Sequence, residues 1–393
     1  MSGKKGIQNA PLRGRRVLVR VDFNVPLDAQ GQIADDRRIV EALPTLDHLR
    51  TAGARTILMS HLGRPDGHRD PRLSLKPVAR RLATLLGQPV PLAGDTVGIE
   101  AIEMTARLQN GQFLLLENLR FHPGEEANDP AFAAQLARLG ELFVEDAFGT
   151  VHRAHASTVG VPKRLPSFAG LLVEREVREL SRLVDRPERP YAVVVGGAKV
   201  ADKLPLLASF LGRADDLLIG GALANPFLAA RGVRLGASPV EEGLGEAVAS
   251  FVRAAADAGT EVRLPTDVVV ARPDRPDAET FPLDRIPDDA VVQDIGPATR
   301  EAFVAALARS RTVFWNGPLG RAEDPRFAEG TRRVLGSLGA VEGYHVAAGG
   351  DSARLARDLG VEGGFRFIST GGGAALEFVQ GLELPGLAVL PDA

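Results

Sequence analysis

Tyr191-Ala-Val-Val-Val-Gly-Gly-Ala-Lys-Val-Ala-Asp-Lys203 is the stretch whose reading decides the fold of this chain. A β-branched run, Val193 to Val195, breaks at Gly196-Gly197, and apolar residues then recur at Leu204, Leu207, Phe210 and Leu211. That pattern predicts strand, tight turn and helix, which aims backbone N–H groups and a helix N-terminus at an anion. Lysine usage sharpens the reading. Residues 191–393 hold 20 basic side chains, 18 of them Arg and only two, Lys199 and Lys203, Lys. Lys is a compact, mobile point charge whereas Arg is a rigid fork, so Lys suits a site whose anion moves. The plainer explanation is two solvated lysines at a helix start. No G-x-x-x-x-G-K-[ST] occurs, so a phosphate site here would not be a Walker A loop.

Outward from this stretch the chain repeats one grammar: a short β-branched run, a Gly or polar cluster, then an amphipathic helical stretch. The runs are 16–21, 56–59, 113–116 and 142–144 in the first half. In the second they are 192–195, 217–219, 268–270, 313–315, 345–347 and 365–368. Ser74 is placed to cap a helix over 75–86, with Leu82, Leu85 and Leu86 on one face and Gly87 at its end. Strands alternating with helices imply parallel sheets covered on both faces. The fold class expected is therefore α/β, with two doubly wound, Rossmann-like domains. Between them, 170–183 reads as an amphipathic helix with apolar residues at 172, 173, 177, 180 and 183. Asp185-Arg-Pro-Glu-Arg-Pro190 punctuates it, and a stiff helix followed by a Pro-rich joint suits hinge motion.

Composition bounds the function. A chain of 393 residues exceeds one ordinary core and fits two domains. No run of about twenty apolar residues occurs, so no membrane span is expected. The basic start of the chain has no apolar segment behind it, unlike a secretory signal. Zero Cys excludes disulfides and thiolate chemistry and fits a cytoplasmic enzyme. The net charge of -3 argues against generic nucleic-acid binding. Charge is unevenly divided: residues 1–190 carry 27 basic and 23 acidic side chains, 191–393 carry 20 and 27. The first half is thus the better candidate for holding an anion by side chains.

Ligands of doubly wound sheets bind beyond the carboxyl ends of the strands. Those ends carry two inventories. The first half offers Asp22-Phe-Asn24, His61-Leu-Gly-Arg64, Glu117-Asn-Leu-Arg120 and the Asp146 to Arg153 segment, with Arg38 at a helix start. Singly, each has a structural explanation, as turn former, core imidazole or surface charge. Jointly, several Arg and a His on one rim make a socket for a small molecule with a phosphate and a carboxylate. His152-x-x-His155 has the spacing of a metal pair but lacks a third ligand, so a structural role is preferred. The second half offers Gly220-Gly221, Gly296, Asn316-Gly-Pro318, Glu323, Gly349-Gly350-Asp351-Ser352 and the Gly-rich 369–373 segment. Glycine lets backbone approach a base or phosphate closely. Asp351 reads as an N-cap, or beside a phosphate as a Mg²⁺ ligand.

These motifs, with Arg20-Val-Asp-Phe-Asn-Val-Pro26 and Gly196-Gly-Ala-Lys-Val200, closely resemble the phosphoglycerate kinase family, in family order from about 16 to 380. The resemblance implies phosphoryl transfer between 1,3-bisphosphoglycerate and ADP, giving 3-phosphoglycerate and ATP, with Mg²⁺ accompanying the nucleotide. It implies that Asp22, Asn24, Arg38, His61, Leu62, Gly63, Arg64, Arg120 and Arg153 bind phosphoglycerate. Lys203, Gly220, Gly221, Gly296, Asn316, Pro318, Glu323, Gly349, Gly350, Asp351 and Ser352 would bind nucleotide, Asp351 lying near the metal. Arg38 and Lys199 would steady the phosphoryl group in flight, helped by N–H groups around Gly372 and Gly373. The domains expected are 1–170, joined by the tail 376–393, and 187–375, linked through 171–186. A cytoplasmic monomer whose domains close on its substrates is implied, with no nucleic-acid or membrane partner. Departures from the family are Arg321 and Ala322 before Glu323, Ala348 for a third Gly, and Pro226 after Asn225. They bear on nucleotide preference more than on activity. A dinucleotide oxidoreductase would share the fold class but lacks its G-x-G-x-x-G fingerprint, and a silent binding protein would need lost site residues, of which there are none.

Overall fold

The computed structural model describes residues 3–393, the side chain of Pro276 apart. Contacts divide the chain into two units, one of residues up to Arg178 together with Glu383–Ala393, the other Glu179–Leu382. In the first, β1 (Arg16–Arg20), β2 (Arg55–Met59), β3 (Phe113–Leu115), β4 (Leu142–Glu145) and β5 (Ser167–Ala169) form one sheet in the order β3-β2-β1-β4-β5. Every pairing is parallel. Helices such as Arg37–Thr51 and Lys76–Leu86 cover it, burying Ile39, Leu46 and Leu49 from one, Val78, Leu82 and Leu86 from the other. Leu85 packs at the edge of that core. Gly87, at φ 66°, ends the second helix in the left-handed conformation. Its cap differs by one residue from expectation: Leu75 is the N-cap, and the Ser74 hydroxyl donates instead to Glu117 Oε2 at 2.8 Å.

The second unit contains β6 (Tyr191–Val195), β7 (Asp216–Ile219), β8 (Glu261–Arg263), β9 (Asp267–Arg272), β10 (Arg275–Pro282), β11 (Val291–Ile295), β12 (Thr312–Asn316), β13 (Tyr344–Ala347) and β14 (Phe367–Ile368). Six of them form a parallel sheet in the order β14-β13-β12-β6-β7-β8. All five residues of β6 are buried, as a central parallel strand covered on both faces requires. The run 268–270 departs from the grammar. It lies in β9, the centre of a separate antiparallel sheet, β10-β9-β11. Three consecutive valines announce a buried strand but not the direction of its partners.

Each parallel sheet reverses its strand order once. The first switches between β1 and β4, the second between β6 and β12. Such switch points open a crevice at the carboxyl ends of the strands, because successive loops leave in opposite directions. The helix Leu171–Val184 spans the division between the units, with Leu172, Val173, Val177, Leu180 and Leu183 buried. Arg175 pairs with Glu41 at its start, and Arg182 stacks 3.7 Å over the Tyr344 ring at its end. The last residues are tied to the first unit by Gly386 N–H to Val151 O, 2.7 Å, and Ala393 N–H to Gly3 O, 2.9 Å. Residues 376–382 of the expected tail group with the second unit. No helix among the described residues is long and apolar enough to cross a membrane.

Candidate active site

The rim of the first sheet is held by side chains. After β1 the chain turns through Asp22, whose carboxylate is buried and accepts from Arg38 in the first turn of its helix. Asn24 follows, and its Oδ1 accepts the Gly63 N–H at 2.9 Å. The loop after β2 carries His61, Leu62, Gly63 and Arg64. It is fixed from the loop after β3 by Asn118, which sequence reading named only as a neighbour of Arg120. Asn118 Nδ2 donates to Leu62 O (2.7 Å) and Leu73 O (2.9 Å), and its Oδ1 accepts from Leu62 N (3.2 Å) and Arg120 N (3.1 Å). This one fully buried amide sets three chain segments. Glu117 beside it accepts from Leu75 N and Asn118 N, at 2.9 and 2.8 Å. Arg120 in turn donates to Gly63 O at 2.8 Å and pairs with Glu126 at 3.1 Å.

His61 is 4 % exposed, and Arg20 Nη2 lies 3.1 Å from its Nδ1. Burial holds its pKa well below the ordinary value, and Arg20, Arg120, Arg38 and His155 add to the effect. The ring is therefore neutral at physiological pH. Burial likewise lowers His155 to about 4, and its Nδ1 lies 3.9 Å from Glu125. Arg64 and Arg153 are exposed and make no ion pair among the described residues. The rim thus brings together Asp22, Asn24, Arg38, His61, Leu62, Gly63 and Arg120 through direct bonds or charge coupling, and leaves Arg64 and Arg153 as free guanidiniums beside it.

The rim of the second sheet is made mostly of backbone. The turns after β6, β7 and β12 touch one another without intervening side chains. Gly221 N–H donates to Leu319 O at 2.7 Å, Leu223 N–H to Gly197 O at 2.8 Å. A Cβ on Gly196 would lie 1.8 Å from Pro318 O, and one on Gly317, at φ 86°, 2.5 Å from Gly196 O. Only Gly permits this approach. Asn316 at the end of β12 accepts from Lys203 Nζ and donates to Ala348 O at 2.7 Å. Ser352 Oγ accepts the Gly317 N–H at 2.8 Å. Lys203, Gly220, Gly221, Asn316, Pro318, Gly349 and Ser352 therefore meet around the β6/β12 switch. Burial lowers the pKa of Lys203, while Asp351 and Asp202 oppose the shift.

Two expectations need correction here. The helix after Gly196-Gly197 begins only at Leu204 and runs six residues, to Ser209. The intervening turn leaves its N–H groups partly used, since Val200 N and Ala201 N donate to Glu241 at 2.7 and 3.4 Å. No helix N-terminus follows the glycines directly, and Lys199 stands exposed on the turn itself. Nor is Asp351 an N-cap: Gly349, at φ 98°, holds that position, and Asp351 lies in the first turn of Gly350–Asp358. Gly296 sits at the end of β11, on the antiparallel sheet, where its Cβ position is filled by Asp267. Glu323 is exposed, 3.4 Å from Arg321, whose N–H is bonded to Gln293 O of β11. Gly372, at φ 54°, precedes the helix Gly373–Val379.

As for a metal, the described residues contain no group of three or more His, Asp or Glu suited to hold one. The Asp351 carboxylate is 74 % exposed and 3.5 Å from Arg354. A single open carboxylate suits Mg²⁺ that arrives on a nucleotide, since Mg²⁺ keeps waters and phosphate oxygens as its other ligands.

The family profile of phosphoglycerate kinase matches residues 7–382. The chain is 50% identical over 392 residues to the phosphoglycerate kinase of Rubrobacter xylanophilus, covering 99% of this chain and 98% of the relative. It is 51% identical over 387 residues to that of Salinispora arenicola, covering 96% of each. Its structure is similar to that of phosphoglycerate kinase from Coxiella burnetii, with a TM-score of 0.89, 37% identity and 98% coverage of both chains.

Proposed function

The chain belongs to the phosphoglycerate kinase family, and from that premise we propose how its two rims divide the reaction. The activity is reversible phosphoryl transfer from 1,3-bisphosphoglycerate to ADP, giving 3-phosphoglycerate and ATP in glycolysis. In the ATP-consuming direction the acceptor is a carboxyl group.

Phosphoglycerate is held on the first rim by Asp22, Asn24, Arg38, His61, Arg64, Arg120 and Arg153, with Leu62 and Gly63 shaping the loop. Nucleotide is held on the second by Lys203, Gly220, Gly221, Gly296, Asn316, Pro318, Glu323 and Gly349 to Ser352. Asp351 would hold a Mg²⁺ arriving with the nucleotide, which would supply neutralisation of phosphate charge. Arg38 and Lys199 steady the phosphoryl group, with N–H groups of Gly372 and Gly373. Transfer is direct and in line, and closure of the units brings the substrates together and excludes water. The enzyme works as a cytoplasmic monomer.

One observation carries this reading: on the first rim, donors outnumber acceptors. His61 is neutral and Arg38, Arg120 and Arg20 surround it, with Arg64 and Arg153 unpaired nearby. Such a rim attracts an anion carrying both phosphate and carboxylate. The transfer needs no general base. The attacking carboxylate is already ionised at neutral pH, so catalysis reduces to alignment and charge neutralisation. The test is ATP formation from ADP, Mg²⁺ and 1,3-bisphosphoglycerate made in situ, for wild type, Arg38→Ala and Lys199→Ala. Wild type should turn over, and each variant should lose on the order of 10²–10³-fold while staying folded, as for other lost transition-state donors. A folded wild type without turnover contradicts the reading.

A further inference from the structure

Behind His61 lies a chain of buried polar groups to which the transfer reaction assigns no task. Arg20, the last residue of β1, is 1 % exposed, and each of its guanidinium nitrogens has a partner within the protein. Its Nε donates to Ser157 Oγ at 2.9 Å, its Nη1 to Val21 O at 2.5 Å, and its Nη2 meets His61 Nδ1 at 3.1 Å. Ser157 is completely buried and donates onward from Oγ to Glu125 Oε1 at 2.5 Å, while its N–H donates to Glu125 Oε2 at 3.0 Å. Glu125 is also completely buried.

The chemistry of this chain runs in one direction. A guanidinium has only donors, so the His61 nitrogen facing it must be an acceptor. Nδ1 therefore carries the lone pair and Nε2 the proton. Ser157 must accept from Arg20, which commits its own proton to Glu125. Both oxygens of Glu125 are bonded to Ser157. Although burial raises its pKa, Arg20 and these two bonds oppose the rise and favour the carboxylate that is the counter-charge for Arg20. A second buried acid, Glu145, faces Arg20 across the β1/β4 pairing. Burial raises both acids, Glu145 well above the carboxylate range. Glu145 Oε2 has no partner, whereas both Glu125 oxygens are bonded, so Glu125 is the better-held counter-charge for the guanidinium. His61 Nε2 makes no hydrogen bond among the described residues, which leaves it as the donor that the ring can offer a ligand.

We infer that Glu125, Ser157 and Arg20 form a buried positioning relay that fixes the proton of His61 on Nε2, so that the ring meets phosphoglycerate as a hydrogen-bond donor. This rests on His61 belonging to the phosphoglycerate site proposed above. The three relay residues act through His61 and do not touch substrate themselves. Without the relay the ring can exchange tautomers, and an Nδ1–H form would present a lone pair to an anion, which repels it. The relay adds little affinity by itself. Its effect is to keep the correct tautomer populated before substrate arrives.

The test is long-range ¹H–¹⁵N correlation spectroscopy of the full-length protein with ¹⁵N-labelled histidine, the His61 signals being identified with His61→Gln. In wild type near pH 7.5 we expect an unprotonated Nδ1 and a protonated Nε2. An Nδ1–H ring or an imidazolium overturns the proposal. In Ser157→Ala the two nitrogens should move toward averaged shifts, and KM for 3-phosphoglycerate should rise about tenfold, the equivalent of one hydrogen bond, with KM for ATP unchanged. A folded Ser157→Ala with wild-type tautomer and KM also overturns it. Should that variant fail to fold, Arg20→Lys keeps the buried cation but cannot reach Ser157 and His61 together, and the same changes are expected. Addition of 3-phosphoglycerate to wild type should shift the His61 Nε2 signal. If the tautomer is as expected but this signal does not move, the relay's role toward substrate falls, while turnover measured independently leaves the enzyme's activity standing.

Discussion

The two rims solve a similar problem with opposite materials. At the first, the polar side chains of Asp22, Asn24, Glu117, Asn118 and Arg120 bind one another and the loops between them. At the second, loops press backbone against backbone at Gly196, Gly221 and Gly317, and Asn316, Ser352 and Lys203 are added to that frame. A small carboxylate-bearing anion needs charges and donors at fixed points, which side chains provide. A flat base and a chain of phosphates need close, smooth approach, which glycine backbone provides. The first rim should thus fail through lost hydrogen bonds, and the second through added volume.

The largest effect is expected where volume is added. Gly196→Ala sets a Cβ 1.8 Å from Pro318 O, a backbone atom that no rotamer change can move aside. Urea unfolding should show a loss of about 3 kcal/mol or more, at the high end for overpacking. A variant as stable as wild type would break the claim that these turns are in close contact. Next comes Asn118→Ala, which strips four hydrogen bonds from three segments. The expected cost is about 2–3 kcal/mol, because water can reach some but not all of the orphaned groups. KM for 3-phosphoglycerate should rise while KM for ATP holds.

The comparison extends to pH. Each unit buries an acid at the end of a strand: burial lifts Asp146, after β4, to about 8 and Asp294, in β11, to about 6. Both values lie above that of an unfolded aspartate, so the folded state binds more protons between the two. Stability from these groups is fully present below the unfolded pKa and is lost as pH rises through the folded one. For Asp146 the loss extends to about pH 8, for Asp294 only to about pH 6. Melting temperatures from pH 5 to 9 should therefore flatten more in Asp146→Asn than in Asp294→Asn. Equal flattening would place the two acids in similar surroundings.

Much of this architecture was legible in the residues. The runs at 16–21, 56–59, 142–144 and 192–195 became central parallel strands because continuous β-branched apolar residues fit only a sheet covered on both faces. Three kinds of feature were not legible. Edge strands such as Ser167–Ala169 and Glu261–Arg263 are too short or too polar to carry a pattern. The antiparallel strand Arg275–Pro282 holds two prolines and three charges, so nothing in it announces a ladder. And the turn at 198–203 postpones its helix because Glu241, some forty residues on, takes two of its N–H groups. At the site, Asp22, His61 and Arg120 could be picked out by their place at strand ends. Asn118 could not, since its role lies in which backbone groups surround it.

The division of labour between the rims is tested most directly by calorimetric titration of 3-phosphoglycerate and of Mg²⁺-ATP, separately, into wild type, Arg64→Ala and Lys203→Ala. Arg64→Ala should weaken 3-phosphoglycerate about tenfold or more, as loss of a charge-assisted contact does, and leave Mg²⁺-ATP unchanged. Lys203→Ala should do the reverse. Crossed losses, with Arg64→Ala weakening nucleotide or Lys203→Ala weakening phosphoglycerate, would contradict the account.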